Sequence, residues 1–431
     1  MEKIEIKDFV GIKDITLEIK QINILIGPQA SGKSIIAKLL FYFKSFIFEI
    51  ISAAEQPKSK KDLDRDYKRK FEQYFPSSSW GKEKFKIRYY IGENFIEVSS
   101  KRSTTQNKSP EIVLSYSDFY KDQFTNLRTV IQKQNKKVAE QEIQISILSR
   151  LDSSYDITKS FLSTVSNLNR ITAFSQLYIP AGRSFFAHLK SSIFTFLSEN
   201  NAVDPFLIEF GTYYEQAKNP IRRELFSRKT VKNPDLHHEI ASLNKKILCG
   251  EYLQKDGEDY LKVKGSRQIG IANSSSGQQE TLPLAIILGT IAFTNPKIGG
   301  SSVYIEEPEA HIFPAAQKDI VELISTVYNS RKDSLQFLIT THSPYILTAF
   351  NNLLQAGLLA VGATEEKIKK ISHNVPKTRF LNPEEIAVYS LSDGYCQSIL
   401  DSETGLINTN IIDEVSNELA IQFDELLDID E

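Results

Sequence analysis

Four short segments carry residue types whose chemistry depends on their spacing. The first is GPQASGKS, Gly27 to Ser34, a G-x-x-x-x-G-K-S pattern. Its glycines let a loop wrap closely around phosphate with backbone N–H groups turned inward, and a following helix presents its positive end to the same anion. In such a loop Gly27, Pro28, Gln29, Ala30, Ser31 and Gly32 form the cradle, Lys33 reaches the β- and γ-phosphates, and Ser34 ligates magnesium. ATP and Mg2+ are the expected ligands. A chance glycine-rich turn is disfavoured by context, because the apolar run INILI (Ile22 to Ile26) precedes the loop and an amphipathic stretch follows it.

The second segment is VYIEEPEAH, Val303 to His311. An apolar strand here delivers two carboxylates side by side, which repel unless a cation lies nearby. Glu306 is assigned to magnesium, and Glu307 to orienting or deprotonating water. The third is LQFLITTHSPYIL, Leu335 to Leu347, where His342 follows a second buried strand and is placed to sense the γ-phosphate; a satisfied structural histidine is the competing reading. His311, beside Glu309, is read as facing a partner subunit. The fourth is NSSSGQQE, Asn273 to Glu280, ahead of an apolar helix. Ser and Gly at a helix N-terminus suit phosphate, but from this segment alone a plain N-cap at Ser275 or Ser276 is the simpler reading.

The elements that must position these residues follow from periodicity. IEIKDF and ITLEIK alternate and flank a Val-Gly turn, so Ile4 to Ile24 reads as two strands. INILI suits a central buried strand. Ser34 to about Phe48 has Ile35, Leu39, Leu40, Phe43 and Phe46 at helical spacing. Glu55 to Arg69 is charged and is expected to be an exposed loop. KFKIRYYI, NFIEVSS and EIVLSYS predict a small antiparallel sheet, with a loop at Lys101 to Ser109. Tyr120 to Asn169 and Phe185 to Lys246 read as mostly helical, with a strand at Ser175 to Pro180 between them. Tyr252 to Ile271 reads as a hairpin around Asp256-Gly257. The rest alternates strand and helix, which implies a parallel sheet covered by helices. Ala387 to Leu400 gives a final strand pair and Asn408 to Leu427 an acidic amphipathic helix.

A net charge of −2 gives no global positive field toward nucleic acid or an anionic membrane. Two distant cysteines, Cys249 and Cys396, argue against a disulfide framework and fit a reducing cytosol better. The N-terminus lacks an apolar leader core, and the most apolar run, Thr281 to Phe293, is too short to span a bilayer.

Taken together and in this order, the four segments resemble the ABC-type ATPase heads of the RecF, SMC and OLD families. SSSGQ, Ser274 to Gln278, looks like a diverged LSGGQ signature. EEPEAHIFPAAQ and ITTHSPYIL resemble the corresponding runs of OLD-like ATPases, as do IEIKDFVGIKD and LYIPAGRSFF. The resemblance implies an α/β P-loop head with a mixed or antiparallel N-terminal sheet and a helical insertion. Its lobes would be residues 1–184 and 251–431, with 185–250 inserted. It implies ATP sandwiched between two heads, with Ser275, Gly277 and Gln278 contacting the γ-phosphate of a second copy, and Lys33, Glu307 and His342 catalytic. Departures from the family are Glu306 at a position often Asp, Ala30 for a loop glycine, Val10 for an arginine and Ser276 for a signature glycine. Gln176 is the candidate for the glutamine loop.

An OLD-like head with no room for the nuclease domain of the OLD proteins resembles the ATPase subunits of antiphage systems. Its partners would then be a separately encoded effector, a nuclease or toxin, and a phage trigger protein. The alternative is a RecF-like repair ATPase binding DNA directly, through basic clusters at Lys58 to Lys61, Lys68 to Lys70 and Arg222 to Lys232. A transporter ATPase is disfavoured by the diverged signature.

Overall fold

Alternation builds the first layer. In β1 (Glu2–Phe9) burial alternates from Glu2 to Ile6 and in β2 (Ile12–Ile19) from Ile15 to Leu17, with two consecutive exposed residues near the turn in each (Lys7 and Asp8, Lys13 and Asp14). The two strands pair antiparallel through the Val10-Gly11 turn, both of whose residues have positive φ. The computed structural model describes residues 1–81, 84–101, 110–140, 147–187, 204–218, 233–255, 257–294, 299–409 and 421–426. β3 (Ile22–Ile26) is buried throughout and enters a different sheet.

Helix α1 (Lys33–Lys44) breaks at Ser45, and α2 (Phe46–Glu55) continues beyond it. The charged stretch from Glu55 to Arg69, expected as a loop, is largely helical and belongs to α3 (Lys60–Tyr74). The reason was available in the residues. Ser59 and Asp62 form a reciprocal capping box, and Leu63, Tyr67 and Phe71 recur every fourth position to give a narrow buried stripe. After the short helix α4 (Ser77–Trp80) come β4 (Lys86–Ile91), β5 (Asn94–Lys101) and β6 (Glu111–Tyr116), antiparallel as expected. β4 also pairs with β1, so the first sheet has five strands in the order β2-β1-β4-β5-β6. Residues 102–109, expected as a loop, lie outside the described residues.

Two long helices follow, α5 (Asp118–Glu140) and α6 (Ile147–Leu168), then β7 (Ser175–Ile179), α7 (Pro205–Lys218) and α8 (Pro234–Ile247). The expected hairpin is present as β8 (Glu251–Lys255) and β9 (Glu258–Lys262), with β10 (Gln268–Gly270) completing a three-stranded sheet; Asp256 lies outside the described residues.

The second half supplies the alternation of strand and helix: α9 (Ser276–Phe293), β11 (Ser301–Glu306), α10 (Pro314–Ser330), β12 (Leu335–Thr341), α11 (Pro344–Ala360), α12 (Glu365–Asn374), β13 (Ile386–Ser392) and β14 (Tyr395–Ser398). Helix α12 has no counterpart in the sequence reading. The six-stranded sheet has the order β14-β13-β3-β12-β11-β7, parallel except for β14. Of the expected acidic C-terminal helix, residues 421–426 are helical; 410–420 and 427 lie outside the described residues.

The faces of this sheet divide the core. Leu25, Tyr304 and Leu338 pack with α1, α2 and the antiparallel sheet. Ile24, Val303, Ile305, Phe337 and Ile339 pack on the other side with α9, α10 and α11. Helix α1 is therefore clamped between two sheets. All parallel strands end on one side, so the loops after β3, β11, β12 and β7 meet there, as the crevice rule for open α/β sheets requires.

Candidate nucleotide site

The loop Gly27–Ser34 joins the C-terminal end of β3 to the start of α1. Two close approaches explain its glycines. A Cβ on Gly27 would lie 2.3 Å from the Leu391 carbonyl oxygen, and one on Gly32 would lie 2.9 Å from Ile12 Cγ1, with φ 96°. Ala30 has φ 59°, the left-handed region where the resemblance expects glycine. The residue before α1, Gly32, supplies no side-chain cap, so the first N–H groups of the helix are left to other acceptors.

Lys33 is 5% exposed. Its ammonium donates to the carbonyls of Gly27 at 2.8 Å and Pro28 at 2.7 Å and to Ser31 Oγ at 3.3 Å. Burial holds its pKa below the ordinary lysine value, and the charges of Glu307 and Glu309 oppose that shift. The lysine thus sits in the loop that an anion would enter, facing two carboxylates.

Glu306 ends β11 in register with Thr340 of β12. It is buried, its Oε1 accepting from Tyr178 Oη at 2.7 Å and its Oε2 from the Ala181 N–H at 3.2 Å. The Thr340 hydroxyl beside it is buried without a hydrogen-bond partner. Such an orphan at the end of two parallel strands fits a site completed by a metal-bound water.

Glu307 leaves the strand with φ 42°, and its N–H donates to the Thr340 carbonyl at 2.9 Å. The turn sends its carboxylate to the opening, where Oε1 is 3.4 Å from His342 Nε2. His342 is fixed in turn by Glu309, whose Oε1 accepts from the His342 N–H at 2.6 Å and from Thr341 Oγ1 at 2.8 Å. The loop, Glu306, Glu307 and His342 are brought together at one edge of the sheet. Glu309 belongs with them and was read differently from the sequence; the E-x-E spacing after β11 was its signal.

Ser275–Gln278 lies at the start of α9, where Gly277 packs against the turn that follows Glu307. Ser275 and Gln278 form a capping box on α9, so the plain N-cap reading is present in the structure. Gln278 Nε2 also donates to the Leu248 carbonyl at 2.8 Å, and Gly277 lies against His311, where an added Cβ would be 2.6 Å from its carbonyl oxygen. Gln176 is near the start of β7, in register with Ser302, and its Oε1 accepts from Tyr304 Oη at 2.7 Å. The end of β7 that reaches the site presents Pro180 to Arg183 instead.

Arg183, which the sequence marks only through the resemblance of LYIPAGRSFF, is fully buried under Glu306 and Glu307. Burial pulls its pKa down, and Glu280 opposes this most strongly. Around the opening, His311, Phe313 and Tyr345 are exposed, the two aromatics by 79% and 54%. Among the basic clusters, Lys58 pairs with Asp66 and Lys70 with Glu49, while 219–232, containing Arg222 to Lys232, lies outside the described residues.

A parallel α/β sheet with this loop at its edge defines a P-loop ATPase domain. The chain belongs to the AAA ATPase domain family, whose model matches residues 1–347. It is similar to the Retron Vc95 probable ATPase of Vibrio cholerae serotype O1 biovar El Tor, at 26% identity over 131 residues, 29% of this chain and 22% of that protein. The match thus spans about a fifth of that relative's length. Among solved structures, it is similar to the SMC head bound to the C-winged helix domain of ScpA, with 14% identity, 93% of this chain and 97% of that one covered, and a TM-score of 0.42. The SMC head domain from Thermotoga maritima matches with 10% identity, coverages of 92% and 97%, and a TM-score of 0.34. Among the described residues no helix is long and apolar enough to cross a membrane.

Proposed function

We propose that the chain is an ABC-type ATPase head that binds ATP with magnesium, hydrolyses it between two copies of itself, and uses the cycle to control a separately encoded effector in a bacterial antiphage system. The reading rests above all on the meeting of Glu307 and His342, 3.4 Å apart, opposite the loop that holds Lys33.

On this reading Lys33 exchanges the Gly27 and Pro28 carbonyls for phosphate oxygens. The uncapped start of α1 faces the same phosphates. Ser34 and Glu306 hold magnesium, which when bound neutralises charge on the phosphate oxygens. Glu307 takes a proton from water as the water oxygen bonds to the γ-phosphorus and the bond to the β–γ bridging oxygen breaks. His342 orients the Glu307 carboxylate and contacts the γ-phosphate. Residues 1–184 and 251–431 are the two lobes of one head, with 185–250 inserted.

The exposed aromatics Phe313 and Tyr345 support a second copy closing over this opening. The signature residues Ser275, Gly277 and Gln278 then act in trans. Mixing two inactive variants, Lys33→Ala and Ser275→Arg, tests this. A mixed dimer has one intact composite site, so hydrolysis returns on mixing; a mixture as inactive as its components contradicts the arrangement.

The antiphage role rests on the OLD-like runs EEPEAHIFPAAQ and ITTHSPYIL, and the short match to a retron's probable ATPase is compatible with it. Co-purification with the products of adjacent genes tests it, and a chain that copurifies with none of them counts against an effector. The RecF-like alternative loses support from the pairing of Lys58 and Lys70 with carboxylates.

A further inference from the structure

Arg183 is 0% exposed, and its guanidinium ties together three chain segments beneath the site. Nη1 donates to the carbonyls of Pro180 at 2.8 Å and Glu306 at 2.7 Å, Nη2 to that of Glu307 at 3.0 Å, and Nε to that of Glu280 at 2.9 Å. The Glu280 carboxylate closes the arrangement by accepting from the N–H groups of Arg183 at 2.8 Å and Ser184 at 3.0 Å. Glu280 is itself 1% exposed and stands in the second turn of α9.

A fully buried ion pair is a poor way to gain stability, because apolar residues of the same volume hold packed segments as well or better. The planar fork of an arginine can do what they cannot, which is to fix the directions of several carbonyls at once. One of those carbonyls belongs to Glu307, whose φ of 42° a glutamate keeps only when its surroundings impose it. The peptide that follows Glu307 also sets where its carboxylate points.

The same guanidinium is bound to α9, whose first residues include Gly277 and Gln278. Gly277 already touches the His311 carbonyl, where an added Cβ would be 2.6 Å away, so the start of α9 and the turn after Glu307 have no slack between them. We infer that Arg183 is a positioning residue for hydrolysis: it holds the Glu307 turn and makes the signature end of α9 move with it. The inference rests on the roles proposed above for Glu307 and for Ser275 to Gln278.

The test compares the full-length protein with Arg183→Lys and with the double variant Arg183→Met, Glu280→Met, which removes both buried charges at similar volume. Thermal melting, equilibrium binding of a fluorescent ATP analogue, steady-state hydrolysis and amide hydrogen exchange are measured on each. Lysine cannot reproduce the fork, so kcat falls about 100-fold, the penalty of a small misplacement of a catalytic group, while KM and analogue affinity stay put. The double variant leaves the backbone groups bonded by Arg183 and Glu280 without those partners, so it melts below the parent, and at a temperature where it is folded it shows the same split. Either variant that is folded and turns over like the parent overturns the inference. Exchange supplies a readout independent of turnover. Amides in 276–282 and in 307–311 become less protected together in both variants, and protection unchanged in either stretch also overturns it. If the parent protein binds nucleotide but does not hydrolyse it, the hydrolysis reading fails, and the exchange result alone decides the coupling.

Discussion

His342 Nε2 lies 3.4 Å from Glu307 Oε1, and both groups hang from turns that Glu309 and the Thr340 backbone hold in place. The imidazole is thus aimed at the carboxylate by the fold before any ligand arrives. His342→Ala should leave ATP-analogue affinity intact and lower kcat by about 100-fold or more, the range for loss of a group assisting proton transfer. Unchanged hydrolysis would remove His342 from the chemistry.

Lys33 gives a pH dependence whose sign is fixed by burial. Its pKa lies below the ordinary 10.5 in the free protein, and phosphate binding requires the protonated form. Affinity for ATP should therefore be full at neutral pH and fall as pH rises through the lowered pKa, earlier than for an ordinary lysine. The same shift makes folding stability of the free protein rise with pH between the folded and unfolded pKa values, because the unfolded chain then binds more protons. Fluorescent ATP-analogue titrations from neutral to alkaline pH check the first statement. Lys33→Ala should bind the analogue weakly at every pH; retained affinity would sink the loop assignment.

Thr340 separates stability from function. Its hydroxyl is buried beside Glu306 without a partner, a desolvation cost that Thr340→Val removes at equal volume. The variant should be more stable by about 1 kcal/mol in denaturant unfolding, yet turn over more slowly with magnesium because the proposed metal-bound water loses its partner. A variant that is more stable and fully active would place the metal elsewhere.

Ala30 tests the loop geometry. At φ 59° an alanine is strained by about 1–2 kcal/mol, and glycine relieves this while adding unfolded-state entropy of about the same size. Ala30→Gly should melt close to the parent and bind ATP at least as tightly. Ala30→Val, β-branched at the same φ, should lower both melting temperature and affinity.

Much of the site could be read from the chain because its chemistry sits at strand ends. INILI before Gly27 and VYI before Glu306 announce buried strands, and a parallel sheet sends such ends to one edge. What could not be read depends on tertiary contact. Arg183 and Glu280 look like ordinary polar residues until β7 and α9 meet. Gln176 lies in the expected strand, but at the start of β7, the end away from the site, because strand register is set by pairing with β11 and not by the glutamine. The stretch after Glu55 differs from its loop expectation for the opposite reason: its charges hide Leu63, Tyr67 and Phe71, three residues that suffice to dock a helix.

Phe313, 79% exposed at the start of α10, belongs to the face on which a second copy is proposed to close. Phe313→Asp should weaken ATP-dependent self-association by about 30-fold, the effect of losing a hot-spot aromatic worth about 2 kcal/mol, and leave nucleotide binding by the monomer intact. Analytical ultracentrifugation over a concentration series measures the shift, and an unchanged association constant would move the interface.

The most direct measurement is the mass in solution of Glu307→Gln with and without ATP and magnesium, by light scattering after size exclusion. With water activation removed, ATP should persist and hold two chains together, so the complex doubles in mass on adding nucleotide and carries one ATP per chain. A protein that binds ATP yet keeps the same mass would contradict a site shared between two copies.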